Sequence, residues 1–288
     1  MQFVCMLSRT QVALRPEWPL TDVLEAEGSA AGPAWVVIPG NPGVVDYYGS
    51  FLTRLASVSG RRALGASHVG HGRGSQWRAA GVEEQRRHLE AFLDWLVAHG
   101  GVSEWILLGH SLGCTLLLDV LRRRPDLLGR TKGAVSLFPL LADFPDLCGW
   151  QIALVRHLSL PLAAVGCALD WLPRFAQRML VHAAQGDLSD EAKDVSLLLL
   201  RGRAVRNVFG LAASEHAEIR AWPDLAFADE RFTFVYTTDD RWGPLRHADR
   251  LRSEGHRVVM AGEDVAHAFV VHHSEETADL VLGLFAEK

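Results

Sequence analysis

The chain has 288 residues, with 29 Lys and Arg against 34 Asp and Glu and a formal charge of −5. That length suits one large domain, or one domain carrying an insertion, and the 49% of hydrophobic residues can fill a sizeable core. A mildly acidic chain with no basic tail and no long run of like charge lacks the electrostatic footprint of a nucleic-acid binder.

The first segment, MQFVCMLSRTQVALRPEWP, has no basic start before an apolar run. It makes a poor secretory signal, so a cytoplasmic location is expected. Cys5, Cys114, Cys148 and Cys167 form no CxxC pair and no zinc spacing, and read as buried free thiols. Trp35 to Ile38 is a short apolar run stopped by PGNPG, the mark of a buried strand. A helix follows over 47–58, with Tyr48, Phe51, Leu52 and Leu55 on one face, then a weaker strand over 61–66. The SHVGHGRGS segment is a Gly-rich loop. Val82 to His99 carries Leu89, Phe92, Leu93, Leu96 and Val97 at helical spacing.

Trp105 to Leu108 is the next strand, and a helix starts just after Ser111. Strands are expected at Ala134–Phe138, Phe232–Tyr236 and Arg257–Met260, with a closing helix from Glu275 to Ala286. Strands alternating with helices imply a mainly parallel sheet covered on both faces. The alternation fails over 143–227, which reads as four helices: Ile152–Leu172, Arg174–Ala184, Glu191–Arg201 and Val205–Ala221. The expected organisation is an α/β core of residues 1–142 and 228–288 with a helical cap over 143–227. The weakly charged stretch from Leu158 to Leu169 is broken by Pro161 and Gly166, and is shorter than the roughly 20 residues a bilayer requires.

Gly109-His110-Ser111-Leu112-Gly113 is a G-x-S-x-G sequence between four apolar residues and a helical pattern. Strand, sharp turn and helix form the setting of a nucleophile elbow, with Ser111 lifted onto a helix N-terminus. A serine hydroxyl needs a base to take its proton. The base should follow in chain order, with an acid between. His267 lies seven residues beyond the strand ending at Met260, in a loop off the sheet's C-terminal edge, and is preferred over His272 and His273. The acid should end the preceding strand, where TTDDRWGP offers both Asp239 and Asp240. An oxyanion hole needs two backbone N–H donors. Leu112 supplies one. Asn41, in the Gly40-Asn41-Pro42-Gly43 loop, is the leading candidate for the other, with Gly40 behind it, because Pro42 has no N–H.

VVIPGNPG, LLGHSLG, TTDDRWGP and VAHAFV, together with LFP at 137–139 and the helical RNVFGLAASEHAEI, resemble the lipid droplet-associated hydrolase family of α/β-hydrolases. The likeness runs from about residue 35 to the C-terminus, and PGNPG is its most specific element. The resemblance implies an α/β-hydrolase fold and a Ser111, Asp240 and His267 triad, because its D-x-W-x-P pattern falls on DRWGP and thereby selects Asp240. It implies an ester substrate of lipid character. One departure is LLADFPDLCGW, where family members tend to carry polar residues and Pro-Asn-Gly. The front of the cap is altered, and substrate selectivity with it.

The expectation is therefore a carboxylic ester hydrolase of esterase or lipase type, acting through an acyl-enzyme without metal or organic cofactor. The alternatives are a thioesterase or acyltransferase using the same groups, and a non-catalytic lipid-binding protein. Dehalogenases and epoxide hydrolases of this fold use an aspartate where Ser111 stands. A histidine base of ordinary pKa, about 6.5, implies activity rising between about pH 6 and 8. His68 and His71 have H-x-x-H spacing but no third ligand nearby, and read as a loop lining the pocket entrance. Trp150, Trp171 and the apolar residues from Leu154 to Leu172, flanked by Arg156 and Arg174, either pack within the cap or touch a lipid droplet or membrane peripherally. Glu215, beside His216, is expected to make a structural hydrogen bond rather than take part in chemistry.

Overall fold

The computed structural model describes residues 6–74, 78–148, 150–184 and 190–286, with the side chains of 74, 148, 150–159, 184, 190 and 191 outside that description. Cys5 and the side chains of Cys148, Trp150 and Arg156 lie outside the described residues, as does the apolar run from Leu154 up to Leu160. Cys114 is a buried free thiol, and Cys167 a half-buried one.

Eight strands form one sheet: β1 (Leu7–Val12), β2 (Thr21–Ala26), β3 (Ala34–Ile38), β4 (Ala63–Ala66), β5 (Trp105–His110), β6 (Thr131–Leu137), β7 (Phe232–Tyr236) and β8 (Arg257–Met260). Their order is β1-β2-β4-β3-β5-β6-β7-β8. The β1–β2 and β2–β4 pairs are antiparallel, and the rest of the sheet is parallel. The N-terminal β1 and β2 were not expected. Strand β1 is mostly exposed and polar, so it shows none of the alternation that marks a half-buried strand.

Around the sheet lie α1 (Gly49–Ser59), α2 (Val82–Ala98), α3 (Leu112–Arg123), α4 (Pro125–Arg130), α10 (Leu245–Ser253), α11 (Phe269–His272) and α12 (Ser274–Ala286). Between β6 and β7 come α5 (Phe144–Cys148), α6 (Trp150–Leu169), α7 (Arg174–Ala184), α8 (Asp190–Leu199) and α9 (Gly202–Glu218). The expected elements recur with shifted ends. The strand expected to stop at Leu108 runs on to His110, directly against Ser111.

Both sheet faces are buried. Along β3, Val36 and Ile38 pack into one cluster with α2 and α3, while Trp35 and Val37 pack into the other with α1 and α12. Strand β5 repeats the division, with Leu107 on one side and Ile106 and Leu108 on the other. Burial on both faces explains why these strands are continuous apolar runs.

Helix α6 meets α9 where Gly166 and Gly202 approach so closely that a Cβ at Gly166 would lie 2.7 Å from the Gly202 Cα. Ala163 is buried on that side, whereas Leu160, Val165, Trp171 and Phe175 are exposed. The segment from Leu160 to Leu172 thus packs on a neighbouring helix with one face and leaves another face open. Among the described residues, no helix is long and apolar enough to cross a membrane.

Candidate active site

Strands β3, β5, β7 and β8 all end at the same rim, because they run parallel. Loops following them therefore meet, although their residues are far apart in sequence. This C-terminal rim is where ligands bind in open α/β sheets.

Ser111 joins β5 to α3 with φ 53 and ψ −117, a conformation that L side chains rarely adopt. The flanking glycines make the turn feasible. A Cβ at Gly109 would lie 2.8 Å from the Cys114 Cα, and one at Gly113 would collide with the carbonyl oxygen of Ile38. The Ser111 N–H donates to the Leu137 carbonyl at 3.0 Å, tying the elbow to β6.

The Ser111 hydroxyl and His267 Nε2 are 2.9 Å apart. On the other side of the ring, His267 Nδ1 donates to Asp240 Oδ2 at 2.8 Å. With Nδ1 donating, Nε2 is left to accept the hydrogen bond of the Ser111 hydroxyl. Asp240 Oδ1 in turn accepts the Trp242 N–H at 2.8 Å. Burial opposes ionisation of Asp240, but the hydrogen bond and charge of His267 and the amides of Trp242 and Gly243 outweigh it, holding the carboxyl below its ordinary range. Asp239 is exposed. His272, also exposed, packs against His273. His267 alone of these three histidines is hydrogen-bonded to Ser111.

The Asn41–Pro42 loop runs beside the elbow. A Cβ at Gly40 would lie only 3.1 Å from that of Ser111, so glycine is what permits the approach. The Gly40 N–H is already committed to the Tyr48 hydroxyl, 3.1 Å away. Leu112 opens α3, at a position where an amide has no acceptor within the helix.

A buried polar chain, missed in the sequence, supports these groups. His110 Nε2 donates to the His267 carbonyl at 2.9 Å. Its Nδ1 then accepts the Tyr48 O–H at 2.7 Å, and Tyr48 accepts the Gly40 N–H. Burial and the neighbouring His267 push the His110 imidazole down to about 3, so it stays neutral in the tautomer this chain requires. The link joins the elbow, the Gly40 loop and the His267 backbone. Tyr48 and His110 lie 62 positions apart, and only the fold brings them together.

His68 and His71 do not line an entrance. Both are buried, at 5% and 4% exposure, and sit behind the same loop. His71 Nδ1 accepts the Gly43 N–H at 3.2 Å, while the His68 amide donates to the Gly43 carbonyl at 2.8 Å. A Cβ at Gly43 would collide with the His68 ring, which explains that glycine. Glu215 is also buried, and its partner is the Asn41 side chain. Phe138, at φ 50, packs beside His110 and His267. A cavity of about 500 Å3 lined by Arg9, Arg73, Arg174, Phe175 and Arg201 lies elsewhere, between the β1–β2 edge and the α7–α8 pair.

The sheet, its flanking helices and the strained strand-turn-helix define an α/β-hydrolase fold. The chain is similar to a 2-hydroxy-6-oxo-6-phenylhexa-2,4-dienoate hydrolase from Rhodococcus, with a TM-score of 0.69, 14% identity and coverage of 98% of this chain and 99% of that one. It is similar also to a haloalkane dehalogenase from Agrobacterium tumefaciens, with a TM-score of 0.70, 14% identity and coverage of 98% and 97%. Identities this low carry the fold alone. The family model for lipid-droplet associated hydrolases matches residues 32–270, and the chain belongs to that family. Lipid droplet-associated hydrolases of Dictyostelium discoideum and Homo sapiens are 25% and 26% identical, covering 84% and 85% of this chain and 84% and 82% of their own lengths. The protein is accordingly a hydrolase.

Proposed function

We propose that this hydrolase cleaves carboxylic esters of lipid character through an acyl-enzyme on Ser111. Ser111 Oγ attacks the ester carbonyl carbon while His267 Nε2 takes its proton. Asp240 holds the imidazole in the required tautomer and stabilises the imidazolium. The carbonyl oxygen becomes an oxyanion facing the amides of Asn41 and Leu112. Gly40 is set aside as donor, because Tyr48 occupies its N–H. His267 then protonates the departing alcohol as the carbon–oxygen bond breaks. Water, deprotonated by His267, attacks the acyl carbon, and Ser111 leaves with the proton returned to it. No step calls for a metal or organic cofactor.

The observation that carries this proposal is the continuous Ser111–His267–Asp240 hydrogen-bonded line, with separations of 2.9 and 2.8 Å, at a strained elbow. Residues 143–227 act as the cap over a core of 1–142 and 228–288. The exposed Leu160, Val165, Trp171, Phe175 and Met179 on or beside α6 and α7 give the cap a face suited to lipid, in keeping with the droplet association in the relatives' names. Hydrolysis of p-nitrophenyl esters of short and long acyl chains by the wild type and Ser111→Ala tests the assignment. The expected loss in kcat is about 10^4-fold or more. Hydrolysis that survives the substitution would refute it.

A further inference from the structure

Helix α9 is fastened to the core through one face. Asn207 donates to the Gly70 carbonyl, and the Ser214 hydroxyl accepts the Val82 N–H at 2.9 Å. From the same side of the core, Asn41 Nδ2 donates to the Val208 carbonyl at 3.1 Å and to Glu215 Oε1 at 2.9 Å. Asn41 Oδ1 is buried with no partner among the described residues, so the side chain is held through its NH2 end alone. Glu215 itself is only 4% exposed. A carboxyl group buried at that depth against a neutral amide is costly to keep for packing alone.

We propose that Glu215 is a positioning residue for acyl transfer, reaching from α9 to hold Asn41 so that the Asn41 amide faces the oxyanion. The proposal rests on the serine-hydrolase assignment above. Two acceptors grip one NH2 group and fix the side chain of the residue whose backbone N–H is the donor. Because α9 belongs to the cap, this hydrogen bond couples cap position to oxyanion geometry.

Glu215 serves in its neutral form. Burial raises its carboxyl to about 7, and the Asn41 hydrogen bond lowers it only in part. Among the described residues, no charged side chain pairs with it. On α9, Glu218 is bound by Ser214 and Arg86. On α2, Glu83 pairs with Arg86, Arg87 and Arg123, and Glu84 is taken by Trp18 and Arg78. Before α5, Asp143 meets Arg246 and His247, and Asp146 is exposed. On α8, Lys193 and Asp194 line a cavity with Arg178 and His182 of α7. Behind the Asn41 loop, burial holds the His68 and His71 imidazoles at about 4 and 3, so they carry no charge. An ionised Glu215 would thus put an uncompensated negative charge one side chain away from the forming oxyanion, where the low local polarity leaves repulsion poorly screened.

The test is kcat and KM for a soluble p-nitrophenyl ester across pH 6 to 8.5, for wild type, E215Q and E215A. Loss of the grip in E215A should lower kcat by about 10- to 100-fold with little change in KM. E215Q keeps an oxygen acceptor for Asn41 and should recover most of that loss. The kcat ratio of E215Q to wild type should rise through pH 7, because only the wild type ionises. If E215A folds poorly, the E215Q ratio still decides. A ratio flat with pH, or E215A kinetics equal to wild type, would overturn the role of Glu215 while Ser111-dependent hydrolysis stood. Hydrolysis independent of Ser111 would overturn the assignment beneath it instead.

Discussion

At the rim of the sheet, Ser111, His267, Asp240, His110 and Tyr48 form one hydrogen-bonded set, anchored in strands buried on both faces. On and beside α6 and α7, by contrast, Leu160, Val165, Trp171, Phe175 and Met179 are between 55% and 90% exposed. The rim is over-determined, since each of these five side chains is hydrogen-bonded to another group of the site and glycine stands where a side chain would intrude. The segment that carries Leu160, Val165 and Trp171 packs on α9 around Ala163 and Gly166 and leaves these side chains exposed. Under the proposed function, chemistry and contact with lipid fall on parts of the molecule with different tolerance to change.

The largest effects should fall on the rim. Asp240→Asn leaves the shape of the site intact but favours the wrong imidazole tautomer, and should lower kcat by about 10^4-fold while circular dichroism stays unchanged. Gly113→Ala drives a Cβ into the Ile38 carbonyl and should cost several kcal/mol of stability, read as a fall in thermal midpoint, whereas Gly129→Ala, whose Cβ would meet nothing within 4 Å, should leave it equal or higher. Tyr48→Phe removes the link between Gly40 and His110, and a fall of about 10-fold in kcat/KM is expected at unchanged fold. In the proposed cap, Trp171→Ser combined with Phe175→Ser should weaken hydrolysis of emulsified long-chain esters about 10-fold or less while leaving soluble short-chain turnover within about twofold. Equal sensitivity of both substrates would erase the distinction between rim and cap.

The smallest effect is a pH-dependent one on stability. The folded-state carboxyl of Glu215 lies at about 7, above its ordinary 4.5. Its contribution is fully present below pH 4.5 and is lost as pH rises through 7. Glu215→Gln should therefore match the wild type in thermal midpoint near pH 5 and exceed it at pH 8. Equal midpoints at both values would show that the carboxyl is not buried in solution as described.

Local pattern made the alternating core readable, because buried parallel strands are unbroken apolar runs and α2 carries a clear helical stripe. Ser111, His267 and the Asp239–Asp240 pair were legible because each falls in a turn or loop after a strand at one rim of the sheet, while the resemblance to the family singled out Asp240. Other features leave no local trace. The edge strand β1 is mostly polar and exposed, and α10, with four arginine, histidine or aspartate residues in its first six positions, buries only His247, Ala248 and Leu251. The Glu215–Asn41 contact spans 174 positions, so a glutamate in a helical pattern gave no hint of its partner. His68 and His71 differ from expectation for a related reason: their Gly-rich polar segment reads as a loop lining the pocket entrance, but Gly43 lets the His68 ring pack underneath.

The nucleophile itself can be tested by mass. Treatment with a fluorophosphonate followed by peptide mapping should place one phosphonyl group on the peptide carrying Ser111, with none on Ser111→Ala and much slower labelling of His267→Ala. Modification of another residue, or undiminished labelling of the alanine variant, would contradict the assignment.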